Sequence, residues 1–207
     1  MYILGISAFY HDSAACLIFN GEIIAAAQEE RFSRIKNDSS FPSQSVKFCL
    51  DFAQISIDDL EAVVFYDKPF LKFERILETY LHYVPKGLFS FLKAMPVWLG
   101  GKLNTRSIIL SELDKLEAFD KKKLKILFSE HHLSHAASAY YPSGFNNAAI
   151  LTIDGVGEWT TTGIFTGSNE HITSLKEIHF PHSLGLLYSA FTYFLGFKIN
   201  SGEYKLM

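Results

Sequence analysis

Cysteine is scarce in this sequence, and long apolar runs, excess basic charge and the common phosphate-binding glycine motifs are missing. The two cysteines among 207 residues, Cys16 and Cys49, sit in apolar surroundings without metal-ligand spacing. They are expected to be buried reduced thiols of a cytoplasmic protein. Nineteen bases against 22 acids, a net charge of -3, give no electrostatic case for nucleic acid. The apolar N-terminus lacks a basic leading region and is interrupted by His11-Asp12, which argues against a signal peptide. No uninterrupted apolar run reaches the ~18 residues of a membrane span. The best surface-binding candidate, Pro85 to Gly101, better suits a buried or partner-facing helix. Neither a Walker sequence nor G-x-G-x-x-G occurs. What is present is an ordinary globular composition, 48% hydrophobic and 15% aromatic, enough for one large domain or two small ones.

One pattern occurs twice. YILGIS (Tyr2 to Ser7) reads as a strand entering a polar turn, SAACLIF follows as a second strand, and Asn20-Gly21 signals a hairpin into EIIAAAQEE. ILTID (Ile150 to Asp154) likewise enters the polar turn GVGEW, and TTTGIFTG and HITSLKEI follow. Ile3-Leu4-Gly5-Ile6 then lies over Ile150-Leu151-Thr152-Ile153, and Ser7 over Asp154. Between the two units, helical and strand patterns alternate. Pro42 to Gln54, Phe70 to Val84 and Arg106 to Phe119 read as helices, and Glu61 to Tyr66 and Leu124 to Glu130 as strands. The expected fold class is α/β, with a first lobe over residues 1–146 and the start of a second over 147–207. Two lobes of this kind are the plan of the actin-like ATPases, a duplicated ribonuclease-H-like fold with mixed sheets. In such a plan, turns holding Ser7, Ser13, Gly155 and Gly157 can aim hydroxyls and backbone N–H groups at nucleotide phosphates.

The chemistry concentrates in SEHHLSHAASAYYPSGF. Ser129 is expected to N-cap a helix that Pro142 stops. Within it His131 and His135 stand at i and i+4, one turn apart on one face, and suit a single metal ion. His132 and His135 at i and i+3 also converge, so the register stays open, as does a role in bonding a core. Ile150, Thr152 and Asp154 share a strand face, and Asp154 stands at the C-terminal end, where α/β folds place ligands. An aspartate that merely starts a turn is the alternative. Two histidines and a carboxylate with open positions suit iron(II) or zinc, acting as a Lewis acid or orienting a hydroxyl. In FYHDSAA, Asp12 can be a general base or accept a bond from a substrate hydroxyl, with His11 near a phosphate; plain turn chemistry is the alternative. Arg31, Arg34 and Lys36 can take up an anion, or form a solvated charge run.

Six stretches, ILGISAFYHDSAACLI, AAAQEERFSRIKND, HHLSHAASAYYPSGF, TIDGVGEW, PHSLGLLYSAFTYFLGF and NSGEYKLM, run in order over nearly the whole chain. In them the sequence resembles the NodU/CmcH-type O-carbamoyltransferases. The resemblance implies an actin-like fold related to the tRNA threonylcarbamoyl-adenosine transferase, and commonly a further YrdC-like domain. There carbamoyl phosphate and ATP form carbamoyl adenylate, and the carbamoyl group passes to the hydroxyl of a small-molecule acceptor. By the same resemblance His131 and His135 match metal-binding histidines, and Asp12 and Asp154 match acidic positions lining the transfer site. Ser7, His11, Lys36, Gly155 and Gly157 are the candidates for the nucleotide and phosphates.

In the family more of the second lobe follows GEYKLM, so the expectation is an incomplete second lobe, a chain inert by itself, and an exposed apolar face favouring a homodimer. Asp12 and Asp154 are expected to face each other across an inter-lobe cleft. Threonylcarbamoyl transfer to tRNA is a competing reading, disfavoured by the near-neutral charge. A non-catalytic actin-like nucleotide-binding regulator is another, disfavoured by His131, His135 and Asp154 occurring together.

Overall fold

In a computed structural model, residues 1–200 and 202–206 are described; Ser201 and Met207, both in the NSGEYKLM stretch, lie outside them. The chain divides into two compact units, Met1–Pro69 with Tyr83–Ser129, and Phe70–His82 with Glu130–Met207.

The first unit is built on a five-stranded sheet ordered β3-β2-β1-β4-β5. Strands β1 (Tyr2–Ser7), β2 (Ala14–Phe19) and β3 (Glu22–Gln28) form an antiparallel meander. The Asn20-Gly21 turn has φ of 51° and 92°, the left-handed backbone that a two-residue hairpin requires and that Asn and Gly tolerate. Strands β4 (Leu60–Phe65) and β5 (Lys125–Phe128) run parallel to β1, so the sheet is mixed. The short helix α1 (Glu30–Ser33) continues from β3, and α2 (Ser43–Ala53) packs on β2 and β3. Leu4, Leu17, Val46, Cys49, Val63, Ile109 and Leu113 form the centre of the core, the last two supplied by α5 (Thr105–Leu116). Glu29, buried at the end of the meander, accepts hydrogen bonds from Gln44 N–H (3.0 Å), Ser45 N–H (2.8 Å) and the Ser45 hydroxyl (2.8 Å). It thereby supplies the cap that Pro42 cannot.

In the second unit, β6 (Asn147–Ile153), β7 (Thr160–Ser168) and β8 (His171–His179) form another meander. This three-stranded sheet is antiparallel throughout, where a mixed one was expected. Its strands are consecutive, and short turns permit only antiparallel pairing. Helix α6 (His131–Tyr140) packs on β6 and β7 through Ala136 and Tyr140, against Ile150 and Phe165. The Tyr140 hydroxyl donates toward the carbonyls of Asn146 (2.9 Å) and Asn169 (3.0 Å), pinning the helix's C-terminal end to both edges of the hairpin. Pro142 lies just beyond α6, as expected, in a single tighter turn. Most of α3 (Pro69–Tyr83) and all of α7 (Leu184–Phe194) complete this unit.

Helices α4 (Leu88–Gly100) and α7 are among those that leave large apolar side chains uncovered. On α4, in the first unit, Phe89, Leu92, Val97 and Leu99 are exposed and Trp98 is buried. On α7, Leu187, Phe191 and Phe194 are exposed. Among the described residues no helix is long and apolar enough to cross a membrane.

Candidate metal centre

The last residues of β6 alternate between the two faces, with Ile150 and Thr152 buried, and the alternation carries Asp154 onto the same side, one residue past the strand. Its N–H bonds the Thr161 carbonyl (2.9 Å), so the loop leaves the strand in a fixed direction. Opposite, the first turn of α6 presents His131 and, one turn on, His135. Their Nε2 atoms are 3.1 Å apart, and Asp154 Oδ2 lies 2.7 Å from the first and 3.9 Å from the second. Among the described residues this is the group whose donor atoms gather closely enough for an ion, all within 4.8 Å of one another.

The donor set fits a divalent cation. Ligands each ~2.1 Å from one ion stand roughly 3.0–3.4 Å apart, close to the observed Nε2–Nε2 separation. Two imidazoles and one carboxylate suit iron(II) or zinc. The hydrogen bond with His131, above all, holds the Asp154 carboxyl well below the usual carboxylate range; the Gly155 N–H, 2.6 Å from Oδ1, works in the same direction against partial burial. The group is therefore an anion across the working pH range. His131 is buried, whereas the His135 side chain is 53% exposed, so the cluster is open to solvent on one side.

The third histidine does not join the cluster. His132 is buried with Nδ1 2.7 Å from the Thr152 hydroxyl, and burial lowers its pKa. The register that the spacing left open is thus resolved geometrically in favour of His131 with His135.

Ser129 does not cap α6. Its N–H bonds the Phe65 carbonyl, and Glu130 takes the N-cap position without a side-chain capping bond. The cap comes from Glu158, whose two carboxylate oxygens lie 3.1 and 3.2 Å from the His131 backbone nitrogen. Nothing local in the sequence marks Glu158 for this role, because it lies 27 residues downstream. Gly157, between them, is a contact position: a Cβ there would lie 3.0 Å from His131 Cβ and 3.1 Å from His132 Cδ2. The Gly155 N–H goes to Asp154 and the Gly157 N–H to the Thr160 carbonyl (2.9 Å), so each glycine amide has an acceptor within the chain.

The remaining candidates lie in the first unit. Ser7 ends β1 opposite Ala14. In the loop that follows, Asp12 has φ 53° and accepts from Asn37 Nδ2 (2.8 Å), while its other oxygen meets His11 Nδ1 at 2.8 Å. His11 and Lys36 are exposed. This loop sits at the C-terminal end of β1, beside the end of its parallel neighbour β4, where α/β sheets open their binding crevices.

Comparison with known proteins gives a consistent picture. A protein of Synechocystis is 56% identical over the whole chain, which spans 34% of that protein. The nodulation protein NolNO of Sinorhizobium fredii is 33% identical over 97% of the chain, corresponding to 28% of NolNO. A protein of Methanocaldococcus jannaschii is 26% identical over 95% of the chain and 31% of its own length. The chain thus spans about a third of these relatives. Residues 2–207 match the family described as carbamoyltransferase N-terminus, and the chain belongs to that family.

Proposed function

We propose that this chain carries the metal-binding part of an O-carbamoyltransferase, in which the carbamoyl group of carbamoyl phosphate, activated with ATP as carbamoyl adenylate, passes to a hydroxyl of a small-molecule acceptor. The observation that carries this reading is the convergence of His131, His135 and Asp154 in a chain of the carbamoyltransferase N-terminus family. The likeness to a nodulation protein is compatible with a small biosynthetic acceptor. The two antiparallel meanders, one opening each sheet, support an actin-like, two-lobed plan.

Iron(II) or zinc held there would supply a Lewis acid to polarise or orient the acceptor hydroxyl. The chain's own residues do the rest. Asp154 is held as an anion beside His131 by the His131 ring and the Gly155 N–H, and the proton shared with His131 Nε2 would be released when an ion takes its place. The exposed side of His135 leaves an approach for the acceptor. In the transfer, the acceptor oxygen bonds to the carbamoyl carbon, the carbamoyl–oxygen bond to AMP breaks, and AMP leaves. The hydroxyl proton goes to a carboxylate, for which Asp12 is our candidate. In this reading Ser7, His11 and Lys36 serve the phosphates, and Gly155 and Gly157 shape the loop after β6. The partners are small molecules, with neither nucleic acid nor membrane, and the exposed apolar residues of α7 favour a homodimer.

Metal analysis after purification from iron- and zinc-supplemented medium tests the centre. Wild type should carry one ion per chain, His131→Ala and His135→Ala should lose it, and His132→Ala should keep it. Unchanged content in the first two variants would refute the assignment. Carbamoyl-phosphate-dependent ATP consumption with hydroxyl acceptors, assayed in the longer Synechocystis relative, tests the reaction.

A further inference from the structure

A buried carboxylate, Glu158, stands beside the metal cluster without belonging to it. Glu158 is only 7% exposed, yet it is neither a donor to the His131–His135–Asp154 cluster nor a distant surface acid. Burying a carboxylate is costly unless charge or hydrogen bonds compensate it. Here the hydrogen bonds lead to the metal cluster, and charge is supplied by Arg75. Both oxygens face the backbone N–H of His131, the first residue of α6. The positive end of the helix dipole lies at the same place. Arg75, on α3, is lowered in pKa by its burial, and the charge of Glu158 opposes that shift. The Arg75 guanidinium carbon is 5.3 Å from the centre of the Phe180 ring, which covers the cation from another side.

The placement matters because Glu158 and Asp154 share the six-residue loop between β6 and β7. That loop touches the histidine helix at three points. Asp154 Oδ2 meets His131 Nε2, Gly157 lies against His131 Cβ, and Glu158 holds the His131 N–H. One of these fixes the tip of the imidazole and another fixes the backbone from which it projects. With both made, the distance between first and third donors is set at each end of the His131 side chain. Without the Glu158 carboxylate, the first turn of α6 has no side-chain cap, since Glu130 supplies none.

We propose that Glu158 is a positioning residue of the metal centre, fixing the backbone of His131 so that its imidazole and Asp154 are aligned before an ion arrives. This inference rests on the metal reading of His131, His135 and Asp154. The group needed is an acceptor at the right reach. A glutamine keeps the acceptor and the length, an aspartate keeps the charge but retracts it by one methylene, and an alanine removes both.

Cobalt(II), used alone as a probe of the 207-residue chain, reads affinity by titration and ligand geometry by its visible absorption. Circular dichroism verifies folding. Relative to wild type, Glu158→Ala should bind cobalt about 10- to 100-fold more weakly, the usual effect of losing a group that orients a ligand, with a shifted absorption band. Glu158→Gln should restore most of the affinity and the wild-type band. Should Glu158→Ala fail to fold, Glu158→Asp takes its place with the same expectation. A folded Glu158→Ala, or Glu158→Asp in its stead, with wild-type affinity and spectrum would overturn this inference alone. Absence of cobalt binding by the wild type would overturn the metal reading and this inference with it.

Discussion

Gly185 offers a sharp test of how Asp154, the proposed third ligand, is held. It lies in the first turn of α7, whose N-cap Ser183 accepts from the Leu186 N–H (3.0 Å) and donates to the Gly155 carbonyl (2.6 Å). The helix start is thereby seated on the Asp154–Gly155 backbone. A Cβ at position 185 would stand 2.5 Å from the Asp154 carbonyl carbon and 2.6 Å from the Gly155 nitrogen, and closer still to the Asp154 carbonyl oxygen. Ordinary van der Waals contact begins at 3.4 Å, and every one of these atoms is backbone, so no side chain can swing aside. Gly185→Ala must therefore separate helix and loop by about 1 Å, an overpacking change that costs roughly 1–3 kcal/mol. For a chain of this size each kcal/mol lowers Tm by about 2–4 °C. Because Asp154 is the residue displaced, cobalt(II) affinity should fall together with Tm. Gly144→Ala is the control: its φ of 76° makes alanine strained, but nothing lies within 4 Å of the added methyl. That variant should lose stability, by about 1 kcal/mol, without losing cobalt. Scanning calorimetry and cobalt titration of both variants decide the matter. A Gly185→Ala protein with wild-type Tm and affinity would refute the close packing on which the argument depends.

Acid stability of the metal-free chain should report on Asp154. Its folded-state pKa is depressed, chiefly by the His131 hydrogen bond. The stabilisation is therefore fully present above the unfolded-state value of about 3.9 and is lost as pH falls below it toward the folded-state value. Asp154→Asn should flatten that part of the stability–pH curve, and an unchanged curve by chemical denaturation would contradict the assignment. The Cys49 thiol, pushed up to about 11 chiefly by burial, should resist iodoacetamide at pH 8 until the protein is unfolded; prompt labelling seen by mass spectrometry would contradict its burial. Glu29→Ala should destabilise the chain by about 1–3 kcal/mol, because it leaves the Ser45 N–H without its acceptor in a buried position. Urea denaturation measures this loss.

Local signals explain what was legible in the sequence. The Asn20-Gly21 pair, the alternating β6 residues and the four-residue spacing of His131 and His135 each depend on near neighbours, and each appears in the structure. The choice of His131 over His132 as the partner of His135 was left open by the spacing, because it depends on Thr152 drawing the His132 ring away. Glu158 was missed for a similar reason. The sequence offered Ser129, a usual capping residue two positions before the helix, whereas the fold delivers a carboxylate from a loop beyond the next strand. Caps contributed across a tertiary contact leave no periodic trace. Glu29, reaching α2 from the end of β3, is a second instance.

The candidate metal cluster is also compact along the chain. His131 and His135 are four positions apart, and Asp154 lies 23 positions from His131. Loop-closure entropy grows only by about 0.6 kcal/mol per doubling of length, so this arrangement adds little to final stability. Its effect is on rate and order of assembly, since contacts between near neighbours form early. The helix, the strand β6 and the loop that closes against them form one short stretch, whereas the five-stranded sheet must bring β5 back to β4 across three intervening α-helices. During synthesis, an ion that reached this stretch would meet His131, His135 and Asp154 on a single nascent segment. Capturing it there would lock the hairpin before the residues that follow have been made.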